Sequence, residues 1–141
     1  TPLQFEIFGA TFIDGEKLGD ELNGQGWSGV RFRPITFLPT SSKWQGEYCG
    51  GVQVHVVDTQ SFQAIEIWLG IIKAIRWMYS DKFQWLPPYI EGGMYHFDRL
   101  VGSTDVRQKI DIGVSMDGLT KDWDTFCHAF EVERQLYLLY E

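Results

Sequence analysis

The chain has 141 residues, 44% of them hydrophobic and 22% charged; this is the composition of an ordinary globular domain and excludes an intrinsically disordered chain. Its formal net charge is −7 and its basic residues do not cluster, so the cationic stripe that nucleic-acid binding requires is missing, and an anionic membrane surface is a poor partner. No run of 18 uninterrupted apolar residues occurs, so the sequence predicts no membrane span.

The first half of the chain predicts short strands and one short helix. Leu3 to Phe8 alternates like a strand that stops at Gly9. The segment from Asp14 to Asn23 predicts a helix that the Asp14 side chain caps, with Leu18 and Leu22 four residues apart on its inner face.

Two further extended segments follow. Residues 30–38 contain Pro34, which restricts this strand to the edge of a sheet or requires a bulge. Gly50 to Asp58 is the clearest strand, and Gly50-Gly51 before it indicates a bulge or a close backbone approach. Along this strand Val52, Val54 and Val56 face one way, and Gln53 and His55 face the other.

The second half predicts helices. Residues 61–79 are apolar nearly all round, which indicates a helix buried against a sheet on one side and against something else, such as another domain, on the other. A short helix is expected from Ser103 or Thr104 to Ile112, and a last helix within residues 117–137. The expected inner face of the last helix contains Trp123, Phe126, Cys127 and Phe130, and the apolar tail at residues 136–140 should dock.

The pattern contains no internal repeat or linker, so residues 1–141 are expected to form a single α+β domain. Its small mixed or antiparallel sheet should pack against the long buried central helix and the C-terminal helix.

The chain carries few signals of catalysis. Cys49 and Cys127 do not form a CxxC pair, and two buried thiols fit the pattern better than a disulfide. The three histidines have no zinc-ligand spacing, and neither a phosphate-binding nor a dinucleotide-binding motif is present, so no metal and no cofactor are expected. Asp58 is interpreted as a helix cap, with a catalytic carboxylate as the alternative. His55 faces either solvent or a ligand.

At Val30-Arg31-Phe32-Arg33-Pro34-Ile35-Thr36-Phe37 the chain begins to resemble a known family. The likeness continues through residues 39–43, Gly46, Cys49-Gly50-Gly51-Val52-Gln53-Val54-His55-Val56 and Asp58. It extends to Phe8-Gly9-Ala10, Phe97-Asp98-Arg99-Leu100, Gly102-Ser103 and the closing Tyr137-Leu138-Leu139-Tyr140. These residues resemble the C-terminal region of the exo-β-N-acetylmuramidases, formerly a domain of unknown function.

The resemblance implies more than the residues do. Members of that family are exported bacterial glycosidases that remove N-acetylmuramic acid from the non-reducing ends of peptidoglycan fragments. They join a larger Rossmann-like N-terminal domain to a smaller C-terminal α+β domain, with the active site between them. The present chain matches the second part alone, so it is expected to be inactive in isolation, and its localisation is expected to be periplasmic or secreted.

The matching block also assigns provisional roles to four polar residues: Arg33, Lys43, Gln53 and His55. If they face the cleft, they would bind sugar hydroxyls, the N-acetyl group or the lactyl carboxylate, which a cation recognises by a charge-assisted hydrogen bond. The alternative is that Arg33 and Lys43 pair with surface acids.

Two other classes of function remain open. One is a non-catalytic carbohydrate- or protein-binding module, which exposed Trp27, Trp44 and Trp85 would favour. The other is an interaction domain, which a large exposed apolar patch would favour. Such a patch would dock the N-terminal domain, and it would also allow two copies of the chain to dimerise.

Overall fold

The computed structural model describes residue 3 and residues 5–139. The backbone divides into two compact units, Thr1–Trp85 and Leu86–Glu141. The first unit contains β1 (Ile7–Ala10), α1 (Gly15–Gly24), β2 (Val30–Phe37), β3 (Cys49–Val56) and α2 (Ala64–Met78). The second unit contains α3 (His96–Val101), α4 (Asp105–Asp111), α5 (Met116–Thr120), α6 (Trp123–Arg134) and the 3₁₀ turn Gln135–Tyr137.

The sheet has the order β1-β3-β2, and both pairings are antiparallel. The α+β class with a small antiparallel sheet is therefore confirmed. β2 pairs with β3 from Val30↔Val56 to Phe37↔Cys49 without interruption. β1 starts later than predicted and continues through Gly9, because its backbone pairs with β3 up to Ala10.

The core lies on one face of this sheet, under α1 and α2. α1 forms as predicted: the Asp14 carboxylate accepts a hydrogen bond from the Lys17 backbone N–H at 3.2 Å, and Leu18 and Leu22 are fully buried. The buried cluster comprises Ala10, Ile13, Leu18, Leu22, Val30, Phe32, Val52, Val54, Ile67 and Ile71. It draws on all five elements of the first unit, which fixes the sheet against both helices.

The central helix α2 buries one face in the core, as predicted, and residues on the side predicted to meet something else, such as another domain, are exposed in this chain. Ile67 and Ile71 are buried in the core, one helical turn apart. On other faces of the helix, Ile65 is 67% exposed and Trp77 is 85% exposed. α2 also begins three residues later than predicted, at Ala64.

Pro34 lies in the middle of β2 without a bulge, so the edge-strand alternative is right and the bulge alternative is wrong. The Asn23 side chain explains why. It accepts from the backbone N–H of Phe32 at 3.1 Å and donates to the Phe32 carbonyl at 2.8 Å, so these backbone groups point away from β3. Since residues two apart point the same way, the Pro34 nitrogen also faces outward, and its missing N–H costs no ladder bond.

β1, β3 and the entry to α1 meet at glycines. A Cβ on Gly50 would overlap the carbonyl oxygen of Ile13, and one on Gly51 would overlap that of Phe8. A Cβ on Gly15 would lie 2.5 Å from the carbonyl oxygen of Gly51. Of the two alternatives for Gly50-Gly51, the structure has the close backbone approach, and the pairing is regular through both residues.

Gly50→Ala is expected to lower the free energy of unfolding by about 1–3 kcal/mol, because the added methyl group meets backbone that cannot move aside. Gly24→Ala is the matched control, since no atom lies within 4 Å of its Cβ position. It should be neutral or stabilising by up to about 1 kcal/mol, because alanine is the better helix former. Urea unfolding followed by circular dichroism measures both, and equal effects would contradict the close-contact explanation.

The second unit contains a buried ion pair. Asp98 is fully buried, and both of its oxygens accept from Arg107 Nε, at 2.8 and 3.0 Å. The guanidinium carbon lies 4.1 Å from the Tyr95 ring centroid. The hydrogen bond with Asp98 raises the pKa of Arg107. The pair ties the start of α3 to α4.

Asp98→Ala is expected to cost about 3–5 kcal/mol of unfolding free energy, because it leaves the Arg107 charge without its buried partner. Asp105→Ala is the control: this exposed carboxylate pairs with Lys109 at 2.7 Å on the surface of α4, and its loss should cost less than about 1 kcal/mol. Hydrogen exchange of α3 and α4 amides would locate the loss. Comparable losses for the two variants would rule out a special role for the buried pair.

The last helix forms, but its expected packing does not. None of the residues of α6 is buried, and Phe126 and Phe130 are 73% and 54% exposed. The apolar tail, which is predicted to dock, is exposed as well: Leu136 is 83% exposed and Leu139 is 87% exposed. Tyr140, the last aromatic residue of that tail, lies outside the described residues.

Candidate functional site

The sheet face opposite the core has a polar half, which we call the polar face: Glu6, Arg31, Arg33, Gln53 and His55. The period of two along a strand explains the separation, because Val52 and Val54 enter the core while Gln53 and His55 point the other way. The register places Arg33 opposite Gln53 and Arg31 opposite His55. Directly opposed side chains in a sheet are neighbours, with Cβ atoms about 4.5–5.5 Å apart.

Gln53 is the central residue of the polar face. Its Oε1 accepts from Arg33 Nη2 at 2.7 Å, and its Nε2 donates to Glu6 Oε2 at 3.3 Å. Gln53 is only 5% exposed, and both ends of its buried amide are satisfied by the side chains of two exposed residues, Arg33 and Glu6. This arrangement holds the Arg33 guanidinium and the Glu6 carboxylate at fixed places on the surface.

His55 differs from Gln53 because its ring has an unused nitrogen. Nε2 of His55 is shielded from solvent and has no hydrogen-bond partner in the described part of the chain. A shielded polar atom without a partner costs free energy, and such atoms are usually satisfied by water or by a bound group. Of the four predicted residues, Arg33, Gln53 and His55 are therefore brought together.

Lys43 is not joined to this group by any contact among the described residues. It lies in the loop between β2 and β3, and its ammonium sits 5.1 Å from the centroid of the Trp44 ring. Trp44 packs in turn against Phe12 beside the core. The loop follows the pair Phe37↔Cys49, which lies four residues along the strands from the pair Arg33↔Gln53. Four residues of strand span roughly 13 Å.

The other half of the same sheet face is apolar. Phe37 lies close to Gly9, where a Cβ would stand 2.9 Å from a ring carbon. Cys49 is fully buried there, and desolvation, followed by the charge of Glu47, raises the pKa of its thiol. Cys127 is exposed and both thiols are free, so the expectation of two buried thiols is right for Cys49 alone.

Beside the polar face is an open concavity of about 640 Å³, where β2 begins and β3 ends. It is lined by Asn23, Gly26, Trp27, Ser28, Gly29, Arg31, Phe32, Val57, Asp58 and Ser61. Asp58 accepts hydrogen bonds from Ser61 Oγ at 2.7 Å and from the Gln60 backbone N–H at 3.0 Å. It therefore orders the turn before α2. It is not the cap of that helix, whose N-cap position is Gln63.

The hydrogen bond from Ser61 is the main reason why the pKa of Asp58 lies below its ordinary value of 3.8. A lowered carboxylate pKa means that the bonded turn is stabilised above the ordinary value and loses this stabilisation as the pH falls through the folded pKa. Ser61→Ala should raise the pKa of Asp58 toward 3.8, and Ser41→Ala, a change in a different exposed loop, should not. Carboxyl carbon NMR titration distinguishes the two; an unchanged Asp58 pKa in Ser61→Ala would contradict the assignment.

The three loop tryptophans do not form a common platform. The Trp27 ring lies against Gly70, where a Cβ would overlap it, and edge-to-face with Phe32 at 5.8 Å. Trp85 stands edge-to-face with Phe83 at 4.9 Å. All three rings are half-buried, which weakens the hypothesis of a stacking surface made of Trp27, Trp44 and Trp85 together.

The second unit exposes a set of apolar side chains along α6 and the residues that follow it. We call it the α6 surface, and its members are Phe126, Phe130, Val132, Leu136, Tyr137 and Leu139, all more than half exposed. No helix among the described residues is long and apolar enough to cross a membrane. Within the same residues no group of three or more His, Cys, Asp or Glu side chains could hold a metal ion.

Two members of the polar face were not among the predicted site residues. Glu6 lies within the strand predicted at Leu3 to Phe8, but its bond to Gln53 depends on how that segment pairs with β3, which the local sequence pattern does not specify. Arg31 is different: it shares a strand face with Arg33, so the period of two was a signal that could have identified it.

Comparison with known proteins gives three matches. The sequence model of a family described as the C-terminal region of the exo-β-N-acetylmuramidase NamZ matches residues 1–140. The peptidoglycan β-N-acetylmuramidase NamZ of Bacillus subtilis strain 168 is 36% identical over 140 residues, which are 99% of this chain and 32% of that protein. A crystal structure of a DUF1343 family protein from Bacteroides fragilis NCTC 9343 has a TM-score of 0.78 and 27% identity.

The match to that solved structure covers 97% of this chain and 35% of the solved chain. The chain thus spans about a third of the length of the relatives it matches.

Proposed function

Because this chain belongs to the family of NamZ C-terminal domains, we propose that it is the smaller, substrate-contacting part of a glycosidase that acts on peptidoglycan fragments. Residues 1–141 act as one such domain in this proposal, and the family match over residues 1–140 supports that extent. The observation that carries the proposal is the polar face, where Gln53 holds the Arg33 guanidinium and the Glu6 carboxylate on the same side of the sheet as His55.

The ligand class follows from the chemistry of that face. Arg33 offers a guanidinium held in place by Gln53, which suits the lactyl carboxylate of N-acetylmuramic acid. His55 Nε2 is shielded from solvent, so it bonds a sugar hydroxyl or the N-acetyl group only if the imidazole ring turns outward. Glu6 keeps the face from being purely cationic. Lys43 joins this set only if the loop between β2 and β3 moves toward it.

Catalysis requires more than this face provides. Glycosidases use a pair of carboxylates on either side of the scissile bond, and Glu6 is the one carboxylate that the described contacts bring to Arg33 and Gln53. We propose that the principal catalytic acid belongs to a preceding Rossmann-like domain and that the chain alone does not turn over substrate. The chain matches only about a third of its relatives' length, which supports this division.

The α6 surface is the proposed contact with that preceding domain, because it exposes large apolar side chains on a helix with no buried residue. Without the domain, the same surface would allow two copies of the chain to dimerise. A periplasmic or secreted location accompanies the proposal, since peptidoglycan lies outside the cytoplasmic membrane. The alternative function is a non-catalytic carbohydrate- or protein-binding module, which the half-buried Trp27 favours only weakly.

Titration of the ¹⁵N-labelled chain with N-acetylmuramic acid tests the proposal. Saturable shifts are expected for the amides of Arg33, Gln53 and His55, and Gln53→Leu should weaken the affinity by about tenfold, because Arg33 and Glu6 lose the group that positions them. Its control is Gln84→Leu, an exposed change outside the face. Absence of shifts up to millimolar ligand would overturn the proposed contact role.

The same titration locates Lys43 and separates the two functions. If the Lys43 amide shifts together with that of Gln53, the loop closes over the sugar. Addition of the N-terminal portion of the Bacillus subtilis relative should restore release of N-acetylmuramic acid. Sugar binding without any restored hydrolysis would favour the non-catalytic module.

A further inference from the structure

Glu6 is the member of the polar face whose role in binding is least expected from its charge. It is connected to Arg33 by two hydrogen bonds that share the side-chain amide of Gln53. Among the described residues no ion pair joins the Glu6 carboxylate and the Arg33 guanidinium directly. An amide thus stands between two opposite charges that would otherwise be free to pair.

The backbone of Glu6 is fixed to the centre of the sheet. Its carbonyl accepts from the backbone N–H of Val54 at 2.7 Å, although Glu6 lies in the turn before β1. The residue before it, Phe5, has φ +62°, which is uncommon for a bulky side chain and costs free energy. Because Glu6 precedes the strand, the alternation of β1 does not determine where its side chain points, and the carboxylate reaches Gln53.

The chemistry of the three side chains allows one orientation of the amide. A guanidinium only donates hydrogen bonds, a carboxylate only accepts them, and an amide has one donor end and one acceptor end. With Oε1 of Gln53 toward Arg33 and Nε2 toward Glu6, both ends are satisfied. The reversed amide would place donor against donor and acceptor against acceptor. Since Gln53 is 5% exposed, water is a poor substitute for either partner.

The inserted amide keeps the charge of Arg33 available. A carboxylate paired directly with a guanidinium often takes two of its N–H groups in a fork. Gln53 instead takes one bond from Nη2 at 2.7 Å and carries no charge. In the described part of the chain the other N–H groups of Arg33 make no further hydrogen bond, so they can receive an external carboxylate.

Charge and geometry give opposite expectations for Glu6. By Coulomb's law alone, a nearby carboxylate should weaken the binding of an anionic ligand. We propose that Glu6 is a positioning residue that strengthens carboxylate binding despite its own negative charge, because through Gln53 it holds the Arg33 guanidinium in place. The statement about N-acetylmuramic acid rests on the proposed function, whereas the statement about the position of Arg33 does not.

Titration of variants with N-acetylmuramic acid tests the sign of this effect. Glu6→Ala should weaken the affinity by about three- to tenfold, because Gln53 Nε2 loses its acceptor and Arg33 its fixed place. Glu6→Gln should recover most of that loss, since its side-chain carbonyl accepts the same bond without the charge. Glu6→Lys should weaken binding more than Glu6→Ala, because an ammonium donates only and favours the reversed amide.

Glu16→Ala is the control for charge, because it removes the same exposed carboxylate from the first turn of α1, which packs on the core side of the sheet. It should leave the affinity unchanged. Tighter binding by both Glu6→Ala and Glu6→Gln would mean that repulsion decides, and the positioning role would be wrong. Equal affinities for these two variants would also refute it.

Rotation of the Arg33 guanidinium, followed by NMR without ligand, separates this inference from the proposed function. It should be slow in the unchanged chain and in Glu6→Gln, and faster in Glu6→Ala. If rotation behaves in this way but N-acetylmuramic acid does not bind, the proposed function fails and the position of Arg33 still depends on Glu6. If the sugar binds and Glu6→Ala changes neither rotation nor affinity, the proposed function stands and the inference is refuted.

Discussion

The close backbone contact among β1, β3 and the entry to α1 is the constraint on which the rest of the first unit depends. Gly50 and Gly51 let two segments approach β3 more closely than any side chain would permit. β3 can then take the centre of a three-stranded sheet, and α1 can start directly over it. Both faces of β3 are used as a result: one closes the core and the other presents Gln53 and His55.

The two faces of β3 depend on a single register. A slip of one residue would place Gln53 in the core and Val52 on the surface, which the buried cluster strongly disfavours. The core therefore positions the polar face even though no core residue takes part in it. The same register brings Arg33 to Gln53 and Arg31 to His55, so packing energy on one side determines geometry on the other.

The sequence predicts the elements whose pattern is local, and it is less informative where contacts between distant residues determine the structure. The cap at Asp14, the inner face at Leu18 and the alternation of β3 follow from spacing alone. Spacing does not predict that Pro34 fits into β2 without a bulge, because this depends on the Asn23 side chain, which covers the outer edge of the strand. Polar residues of the site were predictable as a strand face, whereas the concavity arises from loops that meet at Gly29 and have no periodic signature. α6 has the pattern of a packed helix, and a pattern cannot specify which surface covers it.

The two thiols differ in a way that is useful in practice. Cys49 is fully buried with a raised pKa, and Cys127 is exposed on α6. Because thiol reagents attack the accessible thiolate, a maleimide dye or a nitroxide spin label should attach at a single position in the unaltered sequence. α6 thus carries its own labelling handle, from which distances to any neighbouring chain can be measured by fluorescence transfer or electron spin resonance.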